Sequence, residues 1–184
     1  MRNFEEESQQ EVILKRCFDC IAETGIENAS IRDFSAATDM KASSLYYWFK
    51  DKDDIVIRAT QYALNKVMNA LFDFAVEYQD DVSTLCRAFP DIVRKYKLQL
   101  RVVFQVTTSP VYGPEMRNYI LKKSSLYDEY SEKIGKQLNI PYNIIRPVVD
   151  LFVSAIVDYV IWDDDEKISR EMTYINEVVR ANIN

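Results

Sequence analysis

The side chains between Lys41 and Lys52 are the ones in this chain best equipped for chemistry. Ser43 and Ser44 are followed by Tyr46, Tyr47 and Trp48, and Lys41, Lys50 and Lys52 flank them. A serine hydroxyl can bond a base edge or a phosphate, an aromatic ring can pack on a thymine methyl, and a lysine ammonium neutralises a phosphate. That chemistry is recognition rather than bond making. Covalent and metal chemistry find less support. The chain has no histidine, which removes imidazole bases, imidazole metal sites and imidazole switches. Cys17 and Cys20 form a C-x-x-C and Cys86 stands alone, with neither a second ligand pair nor a βαβ context, so they read as reduced, half-buried thiols. No metal, no cofactor and no Gly-rich phosphate loop is expected. Asp150 and Asp158, two helical turns apart, are a conceivable carboxylate pair, although the same spacing also describes an exposed stripe.

The recognition residues need a scaffold, and the stretch Ser30 to Ile55 supplies one. The spacing predicts a helix over Ile31 to Thr38 with Ser30 as N-cap and Asp33 three residues on, close to a capping box. Ile31, Phe34 and Ala37 give it one apolar face. Thr38-Asp39-Met40 breaks the pattern, and Asp is among the few residues that tolerate a left-handed turn. A second short helix follows, about Lys41 to Lys50, with Leu45 and Phe49 on one face. Two helices joined by so short a turn can set the second in a DNA major groove. A plain helical hairpin with core aromatics fits the same residues equally well.

From about Gln10 to Ala59 the chain resembles the DNA-binding domain of the tetracycline-repressor (TetR) family. The resemblance rests on Glu23-Thr24-Gly25 closing the first helix, on Ser30-Ile31-Arg32-Asp33-Phe34, on Leu45-Tyr46-Tyr47-Trp48-Phe49, and on Lys52-Asp53-Asp54-Ile55. It implies a DNA-binding role for Arg32, Lys41, Ser43, Ser44, Tyr46, Tyr47, Trp48 and Lys52. Tyr46 matches the family's backbone- or thymine-contacting Tyr, and Lys52 its phosphate-contacting Lys at the start of the next helix. The chain departs from the family at Asp39, where Gly is usual, at Ser35 and Thr38, where Ala is usual, and at Lys41, where Ser is frequent. Those departures bear on the DNA sequence read more than on the fold.

At 184 residues, with about half of them hydrophobic, the chain can bury a sizeable core, and only three Gly and five Pro leave few places to turn. Long helices are expected. The formal net charge of −6 argues against a surface coated in basic residues. Even within Ser30 to Ala59, Arg32, Lys41, Lys50, Lys52 and Arg58 are balanced by Asp33, Asp39, Asp51, Asp53 and Asp54, so tight binding needs two half-sites. The opening MRNFEEESQQ is acidic and does not read as a signal peptide. The apolar segment Ile144 to Trp162 is interrupted by Arg146, Asp150 and Asp158, as in a buried helix rather than a membrane span. A cytoplasmic protein is expected.

The expected fold is all-α with about nine helices. A three-helix DNA-binding unit (1–51) precedes a larger helical domain (52–184) that the resemblance makes effector-binding and dimerising. The first helix spans about Gln9 to Thr24, with Gly25 after it. The fourth runs from the acidic turn at Asp51 to about Glu77 and is, in the family, the lever between ligand pocket and DNA-binding heads. Tyr78-Gln79-Asp80-Asp81 is a polar break. Helices follow over Val82 to Tyr96, with Pro90 as kink or boundary, over Lys97 to Thr108, and over Glu115 to Asn139 after a Pro/Gly-rich loop. Two more span Asn143 to Trp162, with Pro147 in the first turn, and Ile168 to Ala181.

Phe72, Phe74, Phe89, Tyr96, Phe104, Tyr112, Tyr119 and Tyr127 crowd the middle helices. An aromatic set with few polar groups suits an apolar small-molecule pocket, and by itself it suits an ordinary core better; the resemblance brings the two readings level. Arg101 either pairs a ligand acid or is simply exposed. On the last two helices Leu151, Phe152, Ala155, Ile156, Tyr159, Ile175, Val178 and Val179 offer an apolar surface to a second copy. A two-fold dimer would set two recognition helices about 34–36 Å apart, or a multiple of that, against a palindromic operator. Two readings of function remain. One is a dimeric DNA-binding regulator, a repressor released from its operator by a small apolar or aromatic effector, and not an enzyme. The other is an all-helical ligand-binding protein or enzyme that uses the aromatic cavity.

Overall fold

Helical periodicity runs the length of this sequence, and the computed structural model, which describes residues 8–78 and 80–182, carries ten helices and no strand among them. The acidic opening at 1–7 and Gln79 of the polar break lie outside the described residues. In α1 (Gln9–Thr24) Ser8 and Glu11 form a reciprocal capping box, and Gly25 closes the helix at φ 85°, where only glycine is unstrained. Helices α2 (Ile31–Thr38) and α3 (Ala42–Trp48) form the helix-turn-helix, and α4 (Lys52–Glu77) follows after a short linker. Helices α5 (Val82–Lys95) and α6 (Lys97–Thr108) come next. Pro90 neither ends nor divides α5; its missing N–H leaves one intrahelical bond unmade inside a continuous helix.

The long helix expected over Glu115 to Asn139 is two, α7 (Gly113–Lys122) and α8 (Ser124–Leu138). No glycine or proline marks the break at Lys123. The Ser124 hydroxyl donates to the Leu121 carbonyl (2.7 Å), and the Lys123 and Leu126 N–H groups reach back three residues, to Ile120 and Lys123. A serine that competes for a backbone carbonyl and a tightened turn are enough to interrupt the ladder. The last two helices are α9 (Tyr142–Trp162) and α10 (Asp165–Arg180). Because α9 starts at Tyr142, Pro147 lies in its second turn rather than its first.

Packing groups the chain into two units, residues 1–67 with 98–117 and residues 68–97 with 118–184. Both α4 and α7 therefore contribute to each unit. This grouping differs from the expected 1–51 and 52–184, which is a division by role. In the first unit α1 packs on α2 and α2 on α3, around Cys17, Phe18, Ile21, Phe34, Leu45, Phe49 and Ile55, all buried. In the second, α10 packs on α5 and α9, and α8 on α9. The three cysteines are fully buried rather than half-buried, and burial pushes the Cys17 and Cys86 thiols up to about 12, which suppresses their reactive thiolates.

Candidate nucleic-acid interface

The helix-turn-helix owes its shape to local bonds that the sequence encodes. The Asp33 N–H donates to Ser30 Oγ (3.3 Å) and the Ser30 N–H to Asp33 Oδ2 (3.0 Å), completing the capping box. The Ser30 hydroxyl, which also donates to Asp33 Oδ2 (2.5 Å), and after it the Ser30 N–H hold the Asp33 carboxyl below its usual range. Asp39 adopts the left-handed conformation (φ 55°, ψ 37°), and the Asp39 and Met40 N–H groups close on the Ala36 and Ser35 carbonyls. The turn is thus a C-cap with Asp in glycine's place. Its carboxylate is exposed beside α3. Thr38, where the family usually has Ala, is buried and donates to the Phe34 carbonyl (2.7 Å).

Two faces of α3 then differ sharply. Leu45 and Phe49 point into the core at 0% and 2% exposure, while Tyr46 and Tyr47 stand 53% and 84% exposed. Ala42 and Ser43 are exposed beside them and Ser44 is half-buried. Trp48 is half-buried and meets the Tyr47 ring edge-on at 5.7 Å. The flat faces of these tyrosines suit sugar, base or methyl contacts. Arg32 on α2 and Lys41 and Lys50 at the ends of α3 are exposed. Lys52 is half-buried and its Nζ donates to the Glu27 carbonyl (3.4 Å). Arg32, Lys41, Ser43, Tyr46 and Tyr47 are thus accessible, Ser44 and Trp48 flank them, and Lys52 is held against the turn between α1 and α2.

Three contacts around this surface have no counterpart in the sequence reading. Arg16 of α1 donates through Nη1 to the Thr38 carbonyl (3.2 Å), at the end of α2. Arg58 of α4 donates through Nη1 to the Trp48 carbonyl (2.8 Å), at the end of α3. Tyr112, between α6 and α7, is buried and its hydroxyl donates to Asp53 Oδ1 (3.2 Å) near the start of α4. Burial first, and the Asp53 charge second, push that phenol up to about 12. Each contact joins residues far apart in sequence or turns on side-chain reach across a linker, so periodicity carried no trace of it.

The residues assigned to an effector pocket are divided between the two units. Arg101, Phe104 and Tyr112 belong to the first unit, and Phe74, Phe89, Tyr96, Tyr119 and Tyr127 to the second. Arg101 is exposed, and Tyr112 is committed to Asp53. In the second unit Phe89 meets Phe74 at a ring spacing of 6.5 Å and Phe152 edge-on at 4.8 Å. Tyr127 meets Phe72, which also meets Tyr130, and the Arg146 guanidinium lies over Tyr127 at 6.0 Å. Tyr96 ends α5 and Tyr119 lies in α7, each half-buried with a lysine against its ring. A cleft of about 370 Å³ lies at the α8–α9 turn, bounded by Gly135, Asn139, Ile140 and Tyr142 among others; none of the eight residues lines it.

The surface assigned to a second copy needs correcting. Ala155, Tyr159, Ile175 and Val179 are buried within this chain, where they join α9 to its own neighbours, so they cannot also cover a partner. Phe152, Ile156 and Val178 are half-buried. Leu151 is exposed, and with Val157, Ile161 and Trp162 it makes an exposed strip along α9 that also carries Asp150 and Ser154. The carboxylates weighed for catalysis are engaged: Asp150 pairs with Arg146, and Asp158 with Lys167 at 2.6 Å. Among the described residues no cluster of three or more His, Cys, Asp or Glu side chains could hold a metal, and no helix is long and apolar enough to cross a membrane.

No protein-family model matches the chain, and no curated protein is similar to it in sequence. Solved structures do match along its length. A TetR transcription regulator from Haloarcula marismortui superposes with a TM-score of 0.65 at 16% identity, over 96% of this chain and 98% of that one. A TetR-family regulator from Cytophaga hutchinsonii gives 0.65 at 13% identity, over 97% and 98%. The multidrug binding protein EbrR, complexed with imidazole, gives 0.59 at 16% identity, over 92% and 96%. The chain has the all-α fold of these regulators.

Proposed function

We propose, starting from a fold shared end to end with TetR-family transcription regulators, that this protein is a member of that family and a dimeric DNA-binding repressor. The observation that carries the reading is the two-faced α3. Its apolar side is seated by Leu45 and Phe49, and its outer side offers Ser43, Tyr46 and Tyr47 between exposed lysines. Residues 1–51 act as the DNA-binding head and residues 52–184 as the effector-binding and dimerising part. Tyr46, Tyr47 and Ser43 read the major groove, with Ser44 and Trp48 at the margin. Arg32 contacts a base edge, and Lys41 and Lys52 contact phosphates, Lys52 after exchanging the Glu27 carbonyl for a stronger anionic partner. The near-neutral charge of the head makes one half-site too weak, so two copies joined along the α9 strip engage a palindromic operator.

A small apolar or aromatic effector, bound among the rings of the second unit, releases the operator. EbrR, of similar fold, is a multidrug binding protein, which supports a cavity of that kind here. Because α4 belongs to both units, an effector that favours another arrangement of its later turns changes the populations of the head as well. Such a protein works in the cytoplasm, where the operator is. The test is fluorescence anisotropy on tiled DNA from around its own gene, at two salt concentrations with competitor DNA. Saturable binding to one tile is expected, abolished by Tyr46→Ala while the dimer persists. Lys52→Ala is expected to lower the slope of log affinity against log salt by about 1. Binding that neither substitution changes would overturn the assignment of both residues.

A further inference from the structure

The linker between α3 and α4 is gripped from both sides by one pair of charges. Arg58 Nη1 donates to the Trp48 carbonyl (2.8 Å), the last of α3. Its guanidinium carbon lies 4.9 Å from the centre of the Phe49 ring. Asp54, one turn before Arg58 and 3.6 Å from it, accepts the Lys50 N–H at 3.0 Å. The Asp54 N–H in turn donates to Asp51 Oδ1 (2.9 Å). Trp48, Phe49, Lys50 and Asp51 are thus each bonded to, or covered by, the first two turns of α4.

Helix α3 needs such an anchor. It has seven residues and its N-cap, Lys41, makes no side-chain capping bond. A helix so short is unstable by itself, and its final carbonyls have no partner within the helix. Burial of Leu45 and Phe49 fixes its depth. A single apolar face leaves rotation and tilt soft, and the charge-assisted bond at Trp48 restrains both. The residues nearest this anchor, Tyr47 and Trp48, are the aromatic end of the proposed reading surface.

We infer that Arg58, braced by Asp54, is a positioning residue that sets the orientation of the recognition helix and thereby the specificity of DNA binding, without itself touching DNA. The inference rests on the DNA-binding reading above for its effect on specificity, whereas the anchoring of α3 can be measured without DNA. Lysine in place of Arg58 keeps the charge and most of the stem but loses the planar fork that bonds the carbonyl while covering the ring.

Quenching is measured on the full chain with Trp162→Phe, leaving Trp48 as its one tryptophan, and DNA binding on the chain that keeps Trp162, since Trp162 lies on the proposed dimer strip; each compares Arg58 with Arg58→Lys and Arg58→Gln. Far-UV circular dichroism establishes that the helices remain. Acrylamide quenching of Trp48 is expected to rise at least about twofold in both variants, as the end of α3 loosens. On the operator tile, both are expected to lose about tenfold in specific affinity. Arg58→Lys should keep the parent's nonspecific affinity and salt slope, since no phosphate contact has gone. Unchanged Trp48 quenching in both variants overturns the inference whatever the DNA does. Specific affinity restored by lysine overturns it too, because charge alone then suffices. If the parent protein binds no DNA, the functional reading fails and quenching alone decides whether Arg58 anchors α3. Should Arg58→Gln unfold the head, Arg58→Lys, with its retained charge, carries the same two readouts.

Discussion

Tyr112→Phe removes one hydroxyl from the first unit and leaves the ring in place. A hydrogen bond to a charged group contributes about 1.5–3 kcal/mol. The 3.2 Å separation from Asp53 Oδ1 is long beside the roughly 2.5–2.7 Å of charge-assisted O–H···O⁻ bonds. Asp53 is also exposed, so water replaces the lost donor and no orphaned acceptor remains. Both facts lower the expected loss to about 0.5–1 kcal/mol. Tyr112→Ala, which also empties a buried aromatic site, should cost about 3–5 kcal/mol. Urea unfolding followed by far-UV circular dichroism at pH 7 measures both. The pH dependence gives a second, independent check. The native phenol is pushed up to about 12, against about 10 in the unfolded chain. Its contribution is fully present below the unfolded value and is lost as pH rises through the folded one. The wild type should therefore lose stability between about pH 10 and 12 faster than Tyr112→Phe, and the gap between them should close and then reverse. Parallel alkaline profiles, or a loss above about 2 kcal/mol for the Phe variant at pH 7, would refute this account of the Tyr112 site.

Asp39→Asn keeps a side chain that tolerates φ 55° and removes a carboxylate beside the reading surface. DNA affinity by anisotropy should rise several-fold at low salt, with the gain shrinking as salt screens the charge; no gain places Asp39 away from the phosphates. Ser30→Ala should lower stability at neutral pH by about 1 kcal/mol in denaturant titration, as loss of an N-cap does. The Ser30 bonds hold the Asp33 carboxyl below its ordinary range, so that part of the stabilisation is present above this range and is lost as pH falls through the folded value. The difference between variant and wild type should therefore narrow in acid. Leu151→Glu combined with Ile161→Glu alters only exposed positions, at 38% and 46%, and should yield a folded monomer in light scattering. Tyr159→Ala, at a buried position, should lower the melting temperature instead. A dimer that survives the paired glutamates rules out the α9 strip as the interface.

Much of the helix-turn-helix was legible because its determinants lie within a few residues of one another. Ser30 and Asp33 cap α2 across three residues, Asp39 supplies the left-handed turn, and Leu45 and Phe49 share a face four apart. The bounds of α1, α2 and α6 follow from the same short-range periodicity. The break at Lys123 was not legible, since it rests on a serine hydroxyl taking a carbonyl, a choice serine makes in some helices and not in others. The outward face of α9 was hidden for a different reason. A helix apolar nearly all round does not reveal which of its sides neighbouring helices will cover, and α8 and α10 cover the side bearing Ala155 and Tyr159.

The amino-acid sequence by itself therefore determined where most of the helices run, how α3 is turned out from its core, and which residues it displays. These features depend on bonds of three or four residues' reach and on the helical period, which any chain with this pattern must obey. Tertiary structure alone decided what those helices hold on to. Tyr112 meets Asp53 across fifty-nine positions, Arg16 meets the end of α2 across twenty-two, and Arg58 and Asp54 clamp the linker behind α3. Such partners are chosen by the packing of distant segments, and the local pattern around each residue is the same whether or not the partner arrives.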